Sequence, residues 1–309
     1  MKELWVEKYR PRSLKEYVFK DEKQKAQIKN WVKEKALPHL LFSGSPGVGK
    51  TTLAKILFNE LEVNDADILE INASRENSID TVREKIVNFV QIMPWGEFRY
   101  VLLDEADYIS PNGQAALRGV MEEYHTTARF VLTCNYPNKV IPALHSRCQG
   151  FHIDTIDKTE FTARVAEILL SEKIDMNIDV LDTFVKATYP DLRKCINMVQ
   201  MNSSDGVLQE IKDEVIEAND YKVQMVQLFK EGKIMEARKL VCAKARPDEI
   251  EDIYRWMYDN LDIVAKTEEQ QDKAILVIKQ GLVDHSFVAD PEINLAATMI
   301  KLARISDGK

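Results

Sequence analysis

Short apolar runs alternate with longer amphipathic stretches through the first half of the chain. Apolar runs of four or five residues bounded by turn residues indicate buried strands, and apolar positions three or four apart indicate helices. This pattern predicts strands at residues 39–43, 68–71, 100–103, 130–133 and 150–153. It predicts helices near 22–35, 50–60, 78–91 and 111–124, with Asn77-Ser78 and Ser110-Pro111 supplying the start of the last two. Such alternation is typical of a parallel α/β sheet.

The pattern changes after Asp154, where the strand signals stop. Helices are predicted at 160–171, 178–187, 192–200 and 207–218, with a break at 202–206 and further helices from about residue 220. Ile253, Trp256, Met257 and Leu261 recur at helical spacing. We interpret this stripe as the core of a helical domain; a face packed on a neighbouring subunit is the alternative.

Composition and charge are those of an ordinary soluble protein with an uneven surface. The 309 residues carry a net charge of −8, and residues 1–60 carry +6, so the remaining 249 carry −14. An acidic chain contacts nucleic acid only through a local basic surface, and a solvated helix face explains the Lys-rich 20–35 segment equally well. No apolar run approaches the length of a membrane span, and the four scattered cysteines lack the spacing of a zinc site or a disulfide framework.

A phosphate-binding loop is the clearest chemical signal in the chain. Residues 44–51 read Gly-Ser-Pro-Gly-Val-Gly-Lys-Thr between a predicted strand and a predicted helix. Glycines let successive backbone N–H groups point at phosphate oxygens, and the helix N-terminus adds partial positive charge. We expect Lys50 to reach the β- and γ-phosphates of a nucleotide and the Thr51 hydroxyl to bind Mg²⁺.

Polar residues follow two later strands of the predicted sheet. Asp104 and Glu105 end the strand at 100–103, and Asn135 follows the strand at 130–133. Asp104 is predicted to hold Mg²⁺ with Thr51, and Glu105 to polarise the attacking water in ATP hydrolysis. An acidic surface turn is the alternative for the carboxylates, and a simple turn is the alternative for the asparagine.

Several segments together resemble the AAA+ ATPases of sliding-clamp loaders, namely replication factor C small subunits and the large subunit of T4-type phage clamp loaders. They are the phosphate loop, Trp5 to Pro11, Asp104 to Asp107, Thr133 to Asn135 and Ser146-Arg147-Cys148. The resemblance implies an α/β P-loop AAA+ module, a parallel sheet flanked by helices, with a helical lid and an all-α collar domain. The implied boundaries are 1–153, 154–218 and 219–309.

The resemblance also implies a set of nucleotide contacts with ATP and Mg²⁺ as cofactors. Arg147 matches an arginine finger that acts in trans on ATP held by the adjacent subunit, and Arg193 matches a lid arginine that senses the γ-phosphate. Asn72 matches a polar switch that holds Glu105 away from the reaction until DNA binds. The catalytic set is Glu105, Lys50, Asn135, Arg147 and Arg193, with Mg²⁺ on Thr51 and Asp104. The nucleotide-binding set is Val6, Glu7, Lys8, Tyr9, Arg10, Pro11, Val18, Gly44, Ser45, Pro46, Gly47, Val48, Gly49, Lys50, Thr51, Thr52, Asn135 and Arg193.

The partners implied by the resemblance are a hetero-oligomeric ring of self copies with a companion subunit, a sliding clamp and primer–template DNA, without a membrane. DNA contacts are expected near 74–83 and 114–118. The apolar loop at 92–95 matches the region that faces the clamp; packing against the core is the alternative for it. The implied location is the cytoplasm or the nucleoid. A different AAA+ DNA motor of the helicase or initiator type and a non-catalytic assembly subunit are the competing functions.

Overall fold

A computed structural model describes residues 3–75, 79–153, 155–204, 206–210 and 221–306. The strands are β1 Leu40–Ser43, β2 Ile68–Asn72, β3 Arg99–Asp104, β4 Ala128–Cys134, β5 Gln149–His152, β6 Ser203–Ser204 and β7 Val207–Leu208. The helices are α1 Trp5–Lys8, α2 Glu22–Glu34, α3 Lys50–Glu60, α4 Ile79–Val90, α5 Pro111–Glu123, α6 Pro142–His145, α7 Lys158–Ser171, α8 Ile178–Thr188, α9 Leu192–Met201, α10 Tyr221–Lys230, α11 Ile234–Lys244, α12 Ile250–Asp259, α13 Leu261–Val264, α14 Glu268–His285 and α15 Pro291–Ser306. None of these helices is both long enough and apolar enough to span a bilayer.

The first five strands form one parallel sheet in the order β2-β3-β4-β1-β5. This is the predicted α/β sheet, and every predicted strand is present. The central strands are apolar on both faces because helices cover both sides, with Val101, Phe130 and Leu41 fully buried. The order places β1 beside β4 and β4 beside β3, so the carboxyl ends of these three strands meet at one edge of the sheet, where α/β proteins bind ligands.

Local signals set the start of several helices around this sheet. The Ser110 hydroxyl accepts a hydrogen bond from the Gly113 N–H, and Pro111 occupies the first turn of α5, as predicted. The Asp21 carboxylate caps α2 in the same way through the Gln24 N–H. The predicted cap at Asn77-Ser78 lies outside the described residues.

The chain forms two compact units that interleave along the sequence. One comprises the residues up to Glu172 together with Tyr189–Gln200, and the other comprises Lys173–Thr188 together with the residues from Met201 on. The segment predicted as a lid, 154–218, therefore contributes to both units. The three predicted domain ranges, 1–153, 154–218 and 219–309, stay predictions.

The second unit has a helical core, as the apolar stripe predicts. Ile253, Tyr254 and Met257 of α12 are buried against α14 and α15. Gly281 of α14 packs so closely that a methyl group there would overlap Tyr254 and the Thr298 hydroxyl. The apolar stripe thus packs in the core of this unit.

One prediction for this region is wrong at its start. Val207–Leu208 pair antiparallel with Ser203–Ser204 in a small hairpin, whereas a helix was predicted from Val207. The turn contains Gly206, whose φ of 78° lies in the left-handed region that glycine adopts without steric cost. Residues 211–218 of that predicted helix lie outside the described residues.

Candidate nucleotide and hydrolysis site

The phosphate loop connects β1 to α3 and requires glycine at two positions. Gly47 has φ 76° and Gly49 has φ 91°, both in the left-handed region. A methyl group on Gly47 would overlap the carboxyl group of Asp191, and one on Gly49 would lie 3.0 Å from the ring of Tyr17. These close approaches place the loop against α9 and against the segment before α2, so its curvature is held from both sides.

The Lys50 side chain lies inside the loop and is buried. Its Nζ donates to the carbonyl oxygens of Gly44 and Ser45 and to Oδ1 of Asn135, each at 2.8 Å. Burial lowers the pKa of Lys50 below its usual value, and the charges of Asp104 and Asp107 oppose that shift. The three acceptors therefore hold the ammonium group at the edge of the sheet where the β- and γ-phosphates of a nucleotide would bind.

Thr51 and Asp104 meet at the same edge. The Thr51 hydroxyl donates to Oδ1 of Asp104 at 2.6 Å, and the Thr133 hydroxyl donates to the same oxygen at 2.5 Å. Hydroxyl and carboxylate oxygens are the donors that Mg²⁺ prefers. The two residues predicted to hold the ion are thus neighbours, and Thr133 orients the carboxylate through the same oxygen.

Glu105 follows directly in a backbone conformation that is uncommon outside glycine. Its φ is 58° and its ψ is 44°, and its N–H donates to the Thr133 hydroxyl at 3.0 Å. The side chain is half-buried and has no hydrogen-bond partner among the described residues. Strained residues of this kind occur at functional sites, where the surrounding structure holds them.

Asn72, predicted as a switch for Glu105, has other partners in this structure. Its Oδ1 accepts hydrogen bonds from the N–H and hydroxyl of Ser74 and from the N–H of Arg75. Within the described residues no hydrogen bond joins Asn72 to Glu105. The Asn72 side chain here stabilises the turn that follows β2.

Asn135 is held by a carboxylate that the sequence pattern did not assign to the site. Oδ2 of Asp107 accepts the N–H groups of Asn135 and Tyr136 at 3.3 and 3.1 Å, and Asp107 is buried. Its other oxygen, Oδ1, is buried and has no hydrogen-bond partner among the described residues. Asp107 therefore fixes the turn that presents the Asn135 amide to Lys50.

An apolar cleft lies beside the phosphate loop within the first unit. Five members of the predicted nucleotide-binding set from the N-terminal segment line it, namely Val6, Tyr9, Arg10, Pro11 and Val18. Gly47, Val48, Gly49, Thr52 and Arg193 line it as well. The cleft is thus continuous with the phosphate loop and has the apolar walls that a nucleobase needs.

Glu7 and Lys8 lie outside this cleft. Glu7 forms a 3.4 Å ion pair with Arg10, and Nζ of Lys8 donates to the Glu172 carboxylate at 2.6 Å. Both belong to the one-turn helix α1, whose successive side chains point in directions about 100° apart. Nucleotide contact by these two residues stays a prediction that the geometry does not support.

The sequence pattern also missed residues that complete the cleft. Tyr17, Ile156, Arg164, Leu192 and Ile196 line it, and Nη2 of Arg164 donates to the Tyr9 carbonyl at 3.1 Å. Arg164 and Ile196 lie on α7 and α9, far along the chain from the phosphate loop. In the sequence, these residues differ from others only in being apolar or cationic. Many helix residues share that character, so it could not identify them.

Arg147 lies at the end of α6, away from the phosphate loop. Its Nη1 donates to the Ala143 carbonyl at 3.1 Å, and its Nη2 forms an ion pair with Glu122. It contacts neither Lys50 nor Glu105. Among the described residues the Arg147 side chain thus lies outside the phosphate-loop site of its own chain, and the role in trans stays a prediction.

Comparison with known proteins decides the family. Residues 40–155 match the ATPase family associated with various cellular activities (AAA). Replication factor C small subunits are similar along the whole chain: that of Methanococcus vannielii is 37% identical, with 98% of this chain and 99% of the relative covered. That of Sulfurisphaera tokodaii is 37% identical, with 97% and 95% covered.

The chain belongs to the replication factor C small subunit family. The predicted function as a clamp-loader ATPase is thereby confirmed. The predicted AAA+ fold, a parallel sheet followed by a helical region, is confirmed as well. Among solved structures, the RuvB Holliday junction branch migration motor of Thermotoga maritima superposes with a TM-score of 0.56 at 18% identity, covering 72% of this chain and 80% of that one. This likeness concerns the fold alone.

Membership of this replication factor C family confirms nucleotide binding and a complex with other subunits.

Proposed function

We propose that this replication factor C small subunit uses ATP to open a sliding clamp and to release it closed on primer–template DNA. The observation that carries the proposal is the meeting of Lys50, Thr51, Asp104 and Asn135 at one edge of the sheet. Each of these groups comes from a different strand end or from the phosphate loop, and together they form an ATP-hydrolysis site.

ATP binds with its base in the apolar cleft and its phosphates on the loop from Gly44 to Thr52. Thr51 and Asp104 would hold Mg²⁺, and the ion would neutralise charge on the phosphates. Among the described residues no group of three or more His, Cys, Asp or Glu side chains is placed to hold a metal. The protein therefore supplies few ligands, which is usual for Mg²⁺ bound with a nucleotide.

Glu105 acts as the base that orients and polarises the attacking water. Its carboxylate has no competing hydrogen bond among the described residues, and its backbone is fixed by Thr133. Asn135 and Arg193 contact the γ-phosphate region from β4 and α9. Arg147 supplies positive charge to ATP in the neighbouring subunit, an effect worth roughly 10³–10⁵ in rate in related NTPases.

The loop at residues 92–95 is the proposed contact with the clamp. Met93 and Trp95 are 88% and 79% exposed, so the alternative of packing against the core does not describe them. Large exposed apolar side chains of this kind are typical anchors of protein interfaces. The loop is built on a buried ion pair between Asp67 and Arg99, which gives it a defined shape.

The proposed DNA contacts receive support at one position. Arg118 is exposed on α5, where its guanidinium can reach a phosphate. Gln114, in the same predicted segment, is buried and binds the backbone of Ile109, Lys139 and Ile141. Much of the other predicted segment, 74–83, lies outside the residues whose side chains are described.

The test is the steady-state ATPase rate of the reconstituted complex, measured alone, with clamp, with primed DNA and with both. We expect clamp and DNA together to raise the rate at least tenfold, and Glu105→Gln to abolish that rise while leaving ATP binding intact. A rate that is flat under all four conditions would overturn the proposal.

The competing functions receive no specific support. From residue 221 onward the described residues form only helices and connecting segments, so they contain no strand pair of a winged-helix DNA-binding domain. The presence of Lys50, Asp104 and Glu105 at the carboxyl edge of the sheet, and of Arg147 after α6, also disfavours a purely structural subunit.

A further inference from the structure

The Glu122 carboxylate lies between two arginines of the first unit. Glu122 is on the last turn of α5, one turn after Arg118, and its Oε1 is 3.5 Å from Nε of Arg118. The same oxygen pairs with Nη2 of Arg147, which follows α6. One carboxylate therefore bridges the side chain proposed to reach DNA and the side chain proposed to reach the neighbouring ATP.

The contacts of Arg147 leave part of its guanidinium available. Glu122 binds Nη2 and the Ala143 carbonyl binds Nη1, so the plane of the group is fixed at two points. A guanidinium has five N–H groups, and the remainder have no partner among the described residues. The side chain is 30% exposed, so these donors are accessible to a phosphate from another subunit.

We propose that Glu122 is a positioning residue for Arg147 and that it links this position to the Arg118–DNA contact. The inference rests on the proposed function, because it takes Arg147 as acting in trans and Arg118 as meeting DNA. A guanidinium already oriented by a carboxylate loses less side-chain entropy when it meets the γ-phosphate.

The shared carboxylate explains how DNA influences hydrolysis at this point. Two partners compete for one oxygen of Glu122 while Arg118 is free of DNA. When a DNA phosphate takes Arg118, Glu122 pairs with Arg147 alone, and that pair becomes tighter because a competing cation has left. DNA binding at Arg118 thereby orients the finger, Arg147, through the Glu122 carboxylate.

The experiment compares Glu122→Gln with the matched control Glu123→Gln in the reconstituted complex with clamp and primed DNA. Glu123 is the next residue of the same helix, is exposed and forms no ion pair with the described residues. We expect Glu122→Gln to lower kcat about threefold to tenfold, with KM for ATP and the ATP affinity of the isolated subunit unchanged. Glu123→Gln should stay within twofold of the parent.

The link to DNA is tested with Arg118→Ala and with the double variant. If the carboxylate is shared, Arg118→Ala lowers DNA stimulation in the parent but has a much smaller effect in the Glu122→Gln background. If the effects of Arg118→Ala and Glu122→Gln on DNA stimulation multiply in the double variant, the link is wrong. If Glu122→Gln behaves as Glu123→Gln, the positioning role is wrong.

A further variant distinguishes failure of the proposed function from failure of this inference. If Arg147→Ala leaves the rate of the complex unchanged, the finger in trans is wrong, whatever Glu122 does. Because Glu122 is 42% exposed, its replacement by glutamine is compatible with the fold, and thermal unfolding of the isolated subunit verifies this.

Discussion

Nζ of Lys50 lies 2.8 Å from Oδ1 of Asn135, so the phosphate loop and the end of β4 are joined by one hydrogen bond at the centre of the site. The same lysine binds two carbonyl oxygens of its own loop. In the proposed function, a bound nucleotide replaces these acceptors as the partner of the Lys50 ammonium group. Asn135 is then in place to contact whatever group displaces it.

Asn135→Ala tests this contact. We expect the ATP affinity to change by less than about threefold and kcat of the assembled complex to fall about tenfold or more, because the amide acts on the γ-phosphate region and not on the base. Asn138→Ala, in the same loop but exposed, is the control and should match the parent. Equal loss of affinity and rate in Asn135→Ala would mean that the residue only shapes the loop.

Glu105→Gln removes the proposed base while it keeps the size of the side chain. Hydrolysis should fall about 10²–10⁴-fold, the usual contribution of a positioned base. Fluorescent nucleotide titration should give the parent affinity, since Glu105 is not part of the cleft. Glu97→Gln, an exposed glutamate after the 92–95 loop, serves as the control; a Glu105→Gln variant with parental turnover would remove Glu105 from the mechanism.

Gly47→Ala tests the fit of the phosphate loop. The left-handed φ of 76° and the overlap with Asp191 both oppose a side chain here, and we expect the free energy of unfolding to fall by about 1–3 kcal/mol with weaker ATP binding. Gly119→Ala is the matched control, because that glycine lies inside α5 with open space around it. The control should be neutral or more stable by about 0.5–1 kcal/mol. Calorimetry and nucleotide titration measure both effects.

Replacing Met93 and Trp95 together by alanine tests the clamp contact. Because both are exposed and outside the ATP cleft, clamp affinity should fall about tenfold or more while ATP binding by the isolated subunit stays unchanged. Met235→Ala, at another exposed methionine, is the control. Unaltered clamp affinity in the double variant, measured by calorimetry, would assign the loop to another partner.

The lowered pKa of His39 should make the stability of the fold depend on pH. Its Nδ1 accepts the N–H of Phe130, and burial followed by the charge of Arg129 lowers the pKa of His39 from 6.5 to about 4. Since the folded-state pKa lies below the unfolded one, the unfolded chain binds more protons at low pH. The free energy of unfolding should fall by about 1–2 kcal/mol between pH 6.5 and 4, allowing for partial exposure. His39→Asn keeps an acceptor and should flatten this part of the profile; an unchanged slope would assign it to other groups.

The residues whose positions depend on local sequence could be predicted. Those whose positions depend on packing between distant segments of the chain could not. Lys50 and Thr51 lie in a loop whose shape its own glycines determine, and Asp104 and Asn135 follow strands that their apolar runs identify. Arg164 and Ile196 enter the cleft from α7 and α9 through packing that no local pattern encodes. Asp107 ends the Asp104 to Asp107 segment that the sequence identifies, but its hydrogen bond with the Asn135 N–H depends on the order of the strands in the sheet.

Local geometry also explains one prediction that the structure does not support, nucleotide contact by Glu7 and Lys8, and one that is wrong, the helix that starts at Val207. Glu7 and Lys8 lie in the same short segment as Val6 and Tyr9, but helical rotation turns their side chains to Arg10 and Glu172. Val207 stands in a two-residue strand because Gly206 allows a tight reversal, which apolar spacing cannot reveal.

The interleaving of the two compact units has a consequence for how this protein can be cut and rebuilt. The backbone passes from one unit to the other at 172/173, 188/189 and 200/201, so no single truncation separates them. A fragment that stops at residue 172 lacks α9, and with it Leu192, Arg193 and Ile196, which line the cleft. The complementary fragment exposes the apolar face of that helix without its partner. If the cleft holds the nucleotide as proposed, the shortest fragment that binds ATP must include residues up to about 200 together with the intervening α8.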